Sequence, residues 1–254
     1  MRITYSLLER KEKEHFDKIA KIYDQNYGYN EAFTKHKIHK KAGYLLRLLK
    51  KYNLSKKTNI LEVGCGTGAY TAEVAKKLNG LQVTAIDISS GIIKVAKDKT
   101  KGLKNIKYAI KSIYNTGLRS QSVDVVFGFY VLHHLEINKA IREIDRILKP
   151  GGLVFFCEPN ILNPLVYLIK SNKHLKQKVG DSPEEWAINP LKVREYFSKF
   201  EVLDILTSEF IIPVKFLPYK WILRIDNFTR HFTDIPIIKY LGGSVQIFAR
   251  KRGI

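Results

Sequence analysis

Cysteine is nearly missing from this chain of 254 residues, which holds only Cys65 and Cys157. Two thiols cannot build a disulfide framework or a cysteine zinc site. Both fall in apolar or glycine-rich segments, which suits ordinary buried thiols, and no metal site is expected. Long apolar runs are missing too: the longest, Val125 to Leu132, is far too short to span a bilayer. Met1-Arg2-Ile3-Thr4 runs quickly into Glu9-Arg10-Lys11 without the apolar centre of a signal peptide. The cytoplasm is therefore the expected location. No internal repeat, low-complexity linker, Arg-Gly tail or Cys/His knuckle occurs.

Acidic residues are in deficit. Lys and Arg number 44 against 24 Asp and Glu, a formal charge of +20. The first 58 residues carry 15 basic and 6 acidic side chains and are the most basic part. Such a surface attracts polyanions such as RNA or an anionic membrane, and simple solubility accounts for it equally. With 45% hydrophobic and 27% charged residues, the composition is globular and large enough for one substantial core.

What is present is an alternation. Residues 12–26 read as a helix with Phe16, Ile19, Ala20 and Tyr23 on one face, and 36–52 as a second with Ile38, Ala42, Leu45, Leu46 and Leu49. Five short strands follow, at 59–63, 83–87, 106–110, 123–129 and 153–157, with helices predicted at 69–78, 90–99 and 137–148. Lys149-Pro150-Gly151-Gly152 reads as the stop of the last helix. The pattern predicts an α/β fold, a doubly wound and mostly parallel sheet. Residues 201–212 and 244–250 read as two closing strands. The chain divides into N-terminal helices (1–55), a core (56–160) and a cap with closing strands (161–254), all in one domain.

The sharpest motif is Glu62-x-Gly64-x-Gly66-x-Gly68, between a strand and a helix. Glycines permit a tight turn and close approach of a ligand to the main chain, and the helix N-terminus offers free N–H groups. The spacing does not meet the G-x-G-x-x-G of dinucleotide sites. Glu62 would repel a pyrophosphate and suits a ligand carrying an ammonium and a sulfonium. Asp87 ends the second strand, where a carboxylate can accept both hydroxyls of an adenosine ribose or cap the next helix.

The strings ILEVGCGTGAYT, VTAIDIS, SVDVVFGFYVLHHL and ILKPGGLVFFCEPN, in that order, resemble the class I S-adenosylmethionine-dependent methyltransferases over roughly residues 55–160. The resemblance implies a Rossmann-like seven-stranded sheet with a C-terminal antiparallel strand and S-adenosylmethionine as cofactor. It places the methionine end on Glu62, Gly64, Cys65 (through its backbone), Gly66 and Gly68, the ribose on Asp87, and Ile88 against the adenine. The family often has an Asp after the third strand for the adenine amino group; Ser112, beside Ile113, stands there. Phe129 resembles the position whose backbone faces the methionine. Tyr23 resembles the tyrosine that closes over the cofactor in small-molecule members, and core packing is the other reading of that side chain.

His133 and His134 follow the fourth strand at the mouth of the expected site, where one could act as general base. Glu158, ending the fifth strand, is a third candidate expected to face the site. The Asn/Asp-Pro-Pro-Tyr/Phe string of base-methylating enzymes is replaced by Gly128-Phe129-Tyr130-Val131. Asn163 to Ile169 and the aromatic segment 213–243, with Phe216, Tyr219, Trp221, Phe228, Phe232 and Tyr240, read as an apolar cap. A small-molecule or lipid-like acceptor is therefore favoured. The cap could rest on a membrane surface, its cations Lys215, Lys220, Arg224, Arg230 and Lys239 toward the headgroups. An RNA or protein methyltransferase and a non-catalytic cofactor-binding module stand as alternatives.

Overall fold

The run Val123-Asp124-Val125-Val126-Phe127-Gly128-Phe129 can be buried on both faces only near the centre of a sheet. The computed structural model puts it there. Described are residues 5–209 except 53, 79 and 183, then 220, 221, 224, 228, 235 and 238–253. Three helices come first: α1 (Leu7–Ile19), α2 (Tyr23–Asn26) and α3 (Ala32–Leu49). The core follows as β1 (Ile60–Val63), α4 (Ala69–Lys77), β2 (Val83–Asp87), α5 (Ser90–Thr100), β3 (Ile106–Ile110), β4 (Val123–Phe129), α6 (Ile137–Ile147) and β5 (Leu148–Pro159). Then come α7 (Pro164–Ser171), α8 (Lys173–Val179), α9 (Val193–Tyr196), β6 (Phe200–Ser208) and β7 (Ser244–Lys251).

The seven strands lie in the order β3-β2-β1-β4-β5-β7-β6. The first five are mutually parallel, and β7 runs antiparallel to both β5 and β6. Order reverses between β1 and β4, so the crevice at their carboxyl ends is the place for a ligand. Side chains alternate across the strands. Leu61, Val63 and Val126 pack with Ile141, Ile144 and Ile147 of α6. Ile60, Val125 and Phe127 pack with Leu45 and Leu49 of α3 and Val74 of α4.

Several boundaries differ from the sequence pattern. The helix expected over 12–26 begins at Leu7, because Ser6 and Glu9 form a reciprocal capping box, and it breaks after Ile19 before α2 restarts at Tyr23. β5 begins at Leu148 rather than at 153. Leu148 pairs with Val123 and Leu153 with Val125, so Lys149–Gly152 bulges within the strand, with Gly151 at φ +76°. α3 begins at Ala32, four residues early. Of the segment 213–243, Lys215, Phe216, Tyr219, Arg230 and Phe232 lie outside the described residues.

Ile144 is fully buried between α6 and the sheet. Ile144→Ala is expected to cost about 3 kcal/mol, read as a lowered urea midpoint with an unchanged slope.

Candidate functional site

β1 ends in a turn that few side chains tolerate. Gly64, Gly66 and Gly68 all have left-handed backbones, at φ +62°, +53° and +80°. A Cβ on Gly64 would lie 2.3 Å from Cγ2 of Val131, so that glycine is required by packing. Gly66 differs: the nearest atom to its added Cβ would be the Tyr23 hydroxyl, at 3.6 Å, and it borders a cavity of about 100 Å³. Here a ligand can reach the main chain.

Asp87 braces this turn from the next strand. Its Oδ2 accepts from the Gly66 N–H and its Oδ1 from the Ser89 N–H, each at 3.0 Å. Burial pushes its carboxyl up in spite of these bonds. Ser89, not Asp87, caps α5. The Cys65 N–H donates to Ile86 and its carbonyl accepts from Gly68, which leaves the carbonyl a second lone pair, and Cys65 lines the cavity.

Glu62 is 1% exposed, and its Oε2 has no hydrogen-bond partner. Burial raises its carboxyl to about 8; Thr71 pulls the other way and Asp87 adds to the rise. A buried carboxylate with an oxygen left unpaired is costly and favours a cation beside it. An ammonium fits this position and a phosphate does not.

The cavity is lined by Tyr23, Glu62, Gly64, Cys65, Gly66, Asp87, Ile88, Ser112, Ile113 and Phe129. Gly68 does not line it. Position 68 would instead press on the Tyr108 hydroxyl, at 2.7 Å from an added Cβ. The Ser112 hydroxyl donates to Glu9 and accepts from the Tyr114 N–H. Glu9 also borders the cavity, so α1 supplies a carboxylate at the end where β3 is followed by none. Sequence reasoning missed Glu9; its only signal was the Ser6-x-x-Glu9 spacing, which marks a helix start.

A second cavity of about 480 Å³ adjoins the first, sharing the side chains of Phe16, Tyr23, Tyr29, Tyr70, Tyr130 and His134. Its far end is polar. His133 Nδ1 lies 2.6 Å from Glu158 Oε2, and Nε2 lies 3.1 Å from Glu185 Oε1. Burial alone would lower the His133 imidazole, but Glu185 and Glu158 outweigh it and hold it at about 9. Both ring nitrogens of His133 are therefore engaged by carboxylates. Glu158 is wholly buried and lines neither cavity, accepting from the Val131 and Leu132 N–H groups. The expectation that it faces the site is corrected: it orients His133. Its neighbours Glu185 and Lys170 form a buried ion pair that no local pattern announced.

Tyr130 has φ +56°, unusual for a bulky residue, with its N–H held by the Cys157 carbonyl at 2.7 Å. Buried Lys41 donates to the Tyr130 hydroxyl, to Glu209 at 2.8 Å and to Ser244 at 3.1 Å. On an amphipathic helix Lys41 reads as solvent-facing, which hid it. In α7, Asn163 caps the helix, Val166 and Ile169 line the larger cavity, and Leu165, Tyr167 and Leu168 are exposed. Trp221 and Phe228 are exposed and line neither cavity.

Residues 61–156 match the family described as a methyltransferase domain. Demethylmenaquinone methyltransferase of Staphylococcus aureus (strain JH9) is 33% identical over 152 residues, covering 58% of this chain and 61% of that protein. The chain thus matches under two thirds of that relative's length. Among solved structures, N-methyltransferase NodS from Bradyrhizobium japonicum, in complex with S-adenosyl-L-homocysteine, has a TM-score of 0.54 at 18% identity, over 84% of this chain and 86% of that one. The [4+2]-cyclase SpnF has a TM-score of 0.64 at 17% identity, over 99% of each chain. Likeness at these identities shows the fold alone. Residues 61–156 thus match the methyltransferase-domain family, and the chain has the fold of the class I S-adenosylmethionine-dependent methyltransferases.

Proposed function

We propose that this chain transfers the methyl group of S-adenosylmethionine to a small hydrophobic acceptor in the larger cavity. The observation that carries the reading is the buried Glu62 carboxyl beside Gly66, one oxygen of which has no hydrogen-bond partner, with the aromatic cavity next to it. Glu62 would take the ammonium. Asp87 keeps lone pairs for the ribose after its two main-chain bonds. Glu9 and Ser112 would take the adenine end. The sulfonium supplies an activated methyl; the protein's part is to align the acceptor and exclude water. Tyr23, Tyr29, Tyr70 and Tyr130 offer ring faces and edges to a flat apolar molecule. The quinone named for the Staphylococcus relative is of that kind. Exposed Leu165, Tyr167 and Leu168 support peripheral contact with a membrane, where such an acceptor dissolves. No described helix is long and apolar enough to cross a membrane.

Labelled methyl from S-adenosylmethionine is expected in the organic-solvent extract when aromatic hydroxy compounds and quinols are offered, with S-adenosylhomocysteine formed in equal amount. Label entering RNA and no such extract would overturn the acceptor class. No S-adenosylhomocysteine with any acceptor would overturn the enzyme.

Glu62 gives a second expectation. With its carboxyl near 8, it is protonated in the apo chain at neutral pH. Binding an ammonium expels that proton, so affinity should rise from about pH 6 to 8 and the calorimetric heat should vary with the buffer's ionisation enthalpy. Glu62→Gln should abolish this proton release and weaken binding by roughly 10- to 100-fold, the worth of a charged hydrogen bond. For stability the sign runs opposite. A carboxyl raised from about 4.3 in the unfolded chain to about 8 in the folded one destabilises as pH rises through that window. Apo Glu62→Gln should therefore melt higher than the parent at about pH 9 and alike near pH 4.

A further inference from the structure

Behind the wall that the two cavities share, the fold buries more negative charge than its lysines balance. Glu12, Glu158 and Glu185 are 6%, 0% and 4% exposed. Asp181 joins them through Lys170, which bonds both Asp181 and Glu185. Lys170 is one buried ammonium in the cluster; Lys176, donating to the Glu185 carbonyl, is the other. Four carboxylates and two ammoniums leave two negative charges, which protons on the histidines or a bound cation would offset.

The donor atoms of His133, His134 and Glu185 lie within 4.8 Å of one another. His133 Nε2 is 3.1 Å from Glu185 Oε1, and His134 Nδ1 is 3.9 Å from Glu185 Oε2. His134 Nδ1 is also 3.0 Å from Glu12 Oε2, an ion-pair contact whose alignment falls short of a hydrogen bond and leaves both atoms aimed at one point. Ligands in a tetrahedron around a zinc-sized ion are about 3.4 Å apart, from bond lengths of about 2.1 Å, and these gaps bracket that spacing. Glu158, fixed by two main-chain N–H groups, holds His133 Nδ1 and so leaves Nε2 to point inward, the outer-carboxylate arrangement common at metal histidines.

We propose that His133 Nε2, His134 Nδ1 and the carboxylates of Glu185 and Glu12 bind one divalent first-row transition-metal ion. Two imidazoles with carboxylates select such an ion over magnesium or calcium. Lys170 retains Asp181, at 2.8 Å, when Glu185 turns to the ion. Because His134 borders both cavities, the ion would anchor an oxygen or nitrogen of the acceptor next to the cofactor. That role rests on the methyl-transfer reading, whereas binding of the ion does not. The cluster departs from the metal-free expectation of the sequence, since its donors come from α1, the turn after β4 and the loop after α8.

Co(II) titrated into the full chain after treatment with chelator tests this by visible absorption. Expected is one ion per chain with ligand-field bands between about 500 and 650 nm, displaced by Zn(II) in calorimetry, and at least 30-fold weaker in Glu185→Gln and in His134→Ala. Failure of the parent chain to bind Co(II) or Zn(II) at one equivalent would overturn the site and leave protons as the counter-charge. Unchanged binding in both variants would overturn it as well. S-adenosylmethionine affinity of the same chelated parent, measured separately, keeps the two readings apart: its loss sinks methyl transfer, and its retention without metal binding sinks only the ion.

Discussion

Gly64 and Val131 occupy a space that admits only one side chain. The turn after β1 can pass beneath the end of β4 because position 64 has no Cβ, and Val131 fills the room so left. Val131 in turn is held through its N–H by Glu158 of β5, which also holds Leu132 and His133. The carboxyl ends of the three central strands are thus tied into one unit. Asp87 extends the tie to β2 by taking the Gly66 N–H. The glycine turn, the histidine pair and the aromatic cavity are each built on this unit, so displacement of one moves the others.

Charge is the second constraint. α1 does not dock as an ordinary amphipathic helix: its two buried residues are Glu9 and Glu12. Glu9 meets Ser112, and Glu12 meets Ser182 and the His134 face. Asp17 of the same helix accepts from the Ser89 hydroxyl and the Gly91 N–H at the start of α5. Polar and ionic contacts therefore set the position of α1. Such contacts are directional, so they place carboxylates at defined points on the site where apolar packing would place only volume.

β2, β3 and β4 begin and end where the pattern says, and β4 was legible because burial on both faces demands a nearly unbroken apolar run. The glycine turn and Asp87 were legible because their roles depend on backbone conformation and on neighbours within a few residues. Glu158 was misread: its place at the end of a strand says nothing about which way its carboxylate turns, and it turns inward to His133. Glu185 and Lys170 were invisible because each pairs across a loop without periodicity. Lys41 was hidden by a helix whose charged residues mostly face water.

The sequence alone determined the α/β alternation, the sheet's central strands and the turn that admits a ligand, since these follow from side-chain periodicity and from glycine's backbone freedom. Only the tertiary structure decided which buried carboxylates lie together, that α1 supplies Glu9 beside Ser112, and that the aromatic cavity opens next to the glycine turn. Those outcomes depend on contacts between residues far apart in the chain, where direction and burial, not order along the backbone, fix the chemistry.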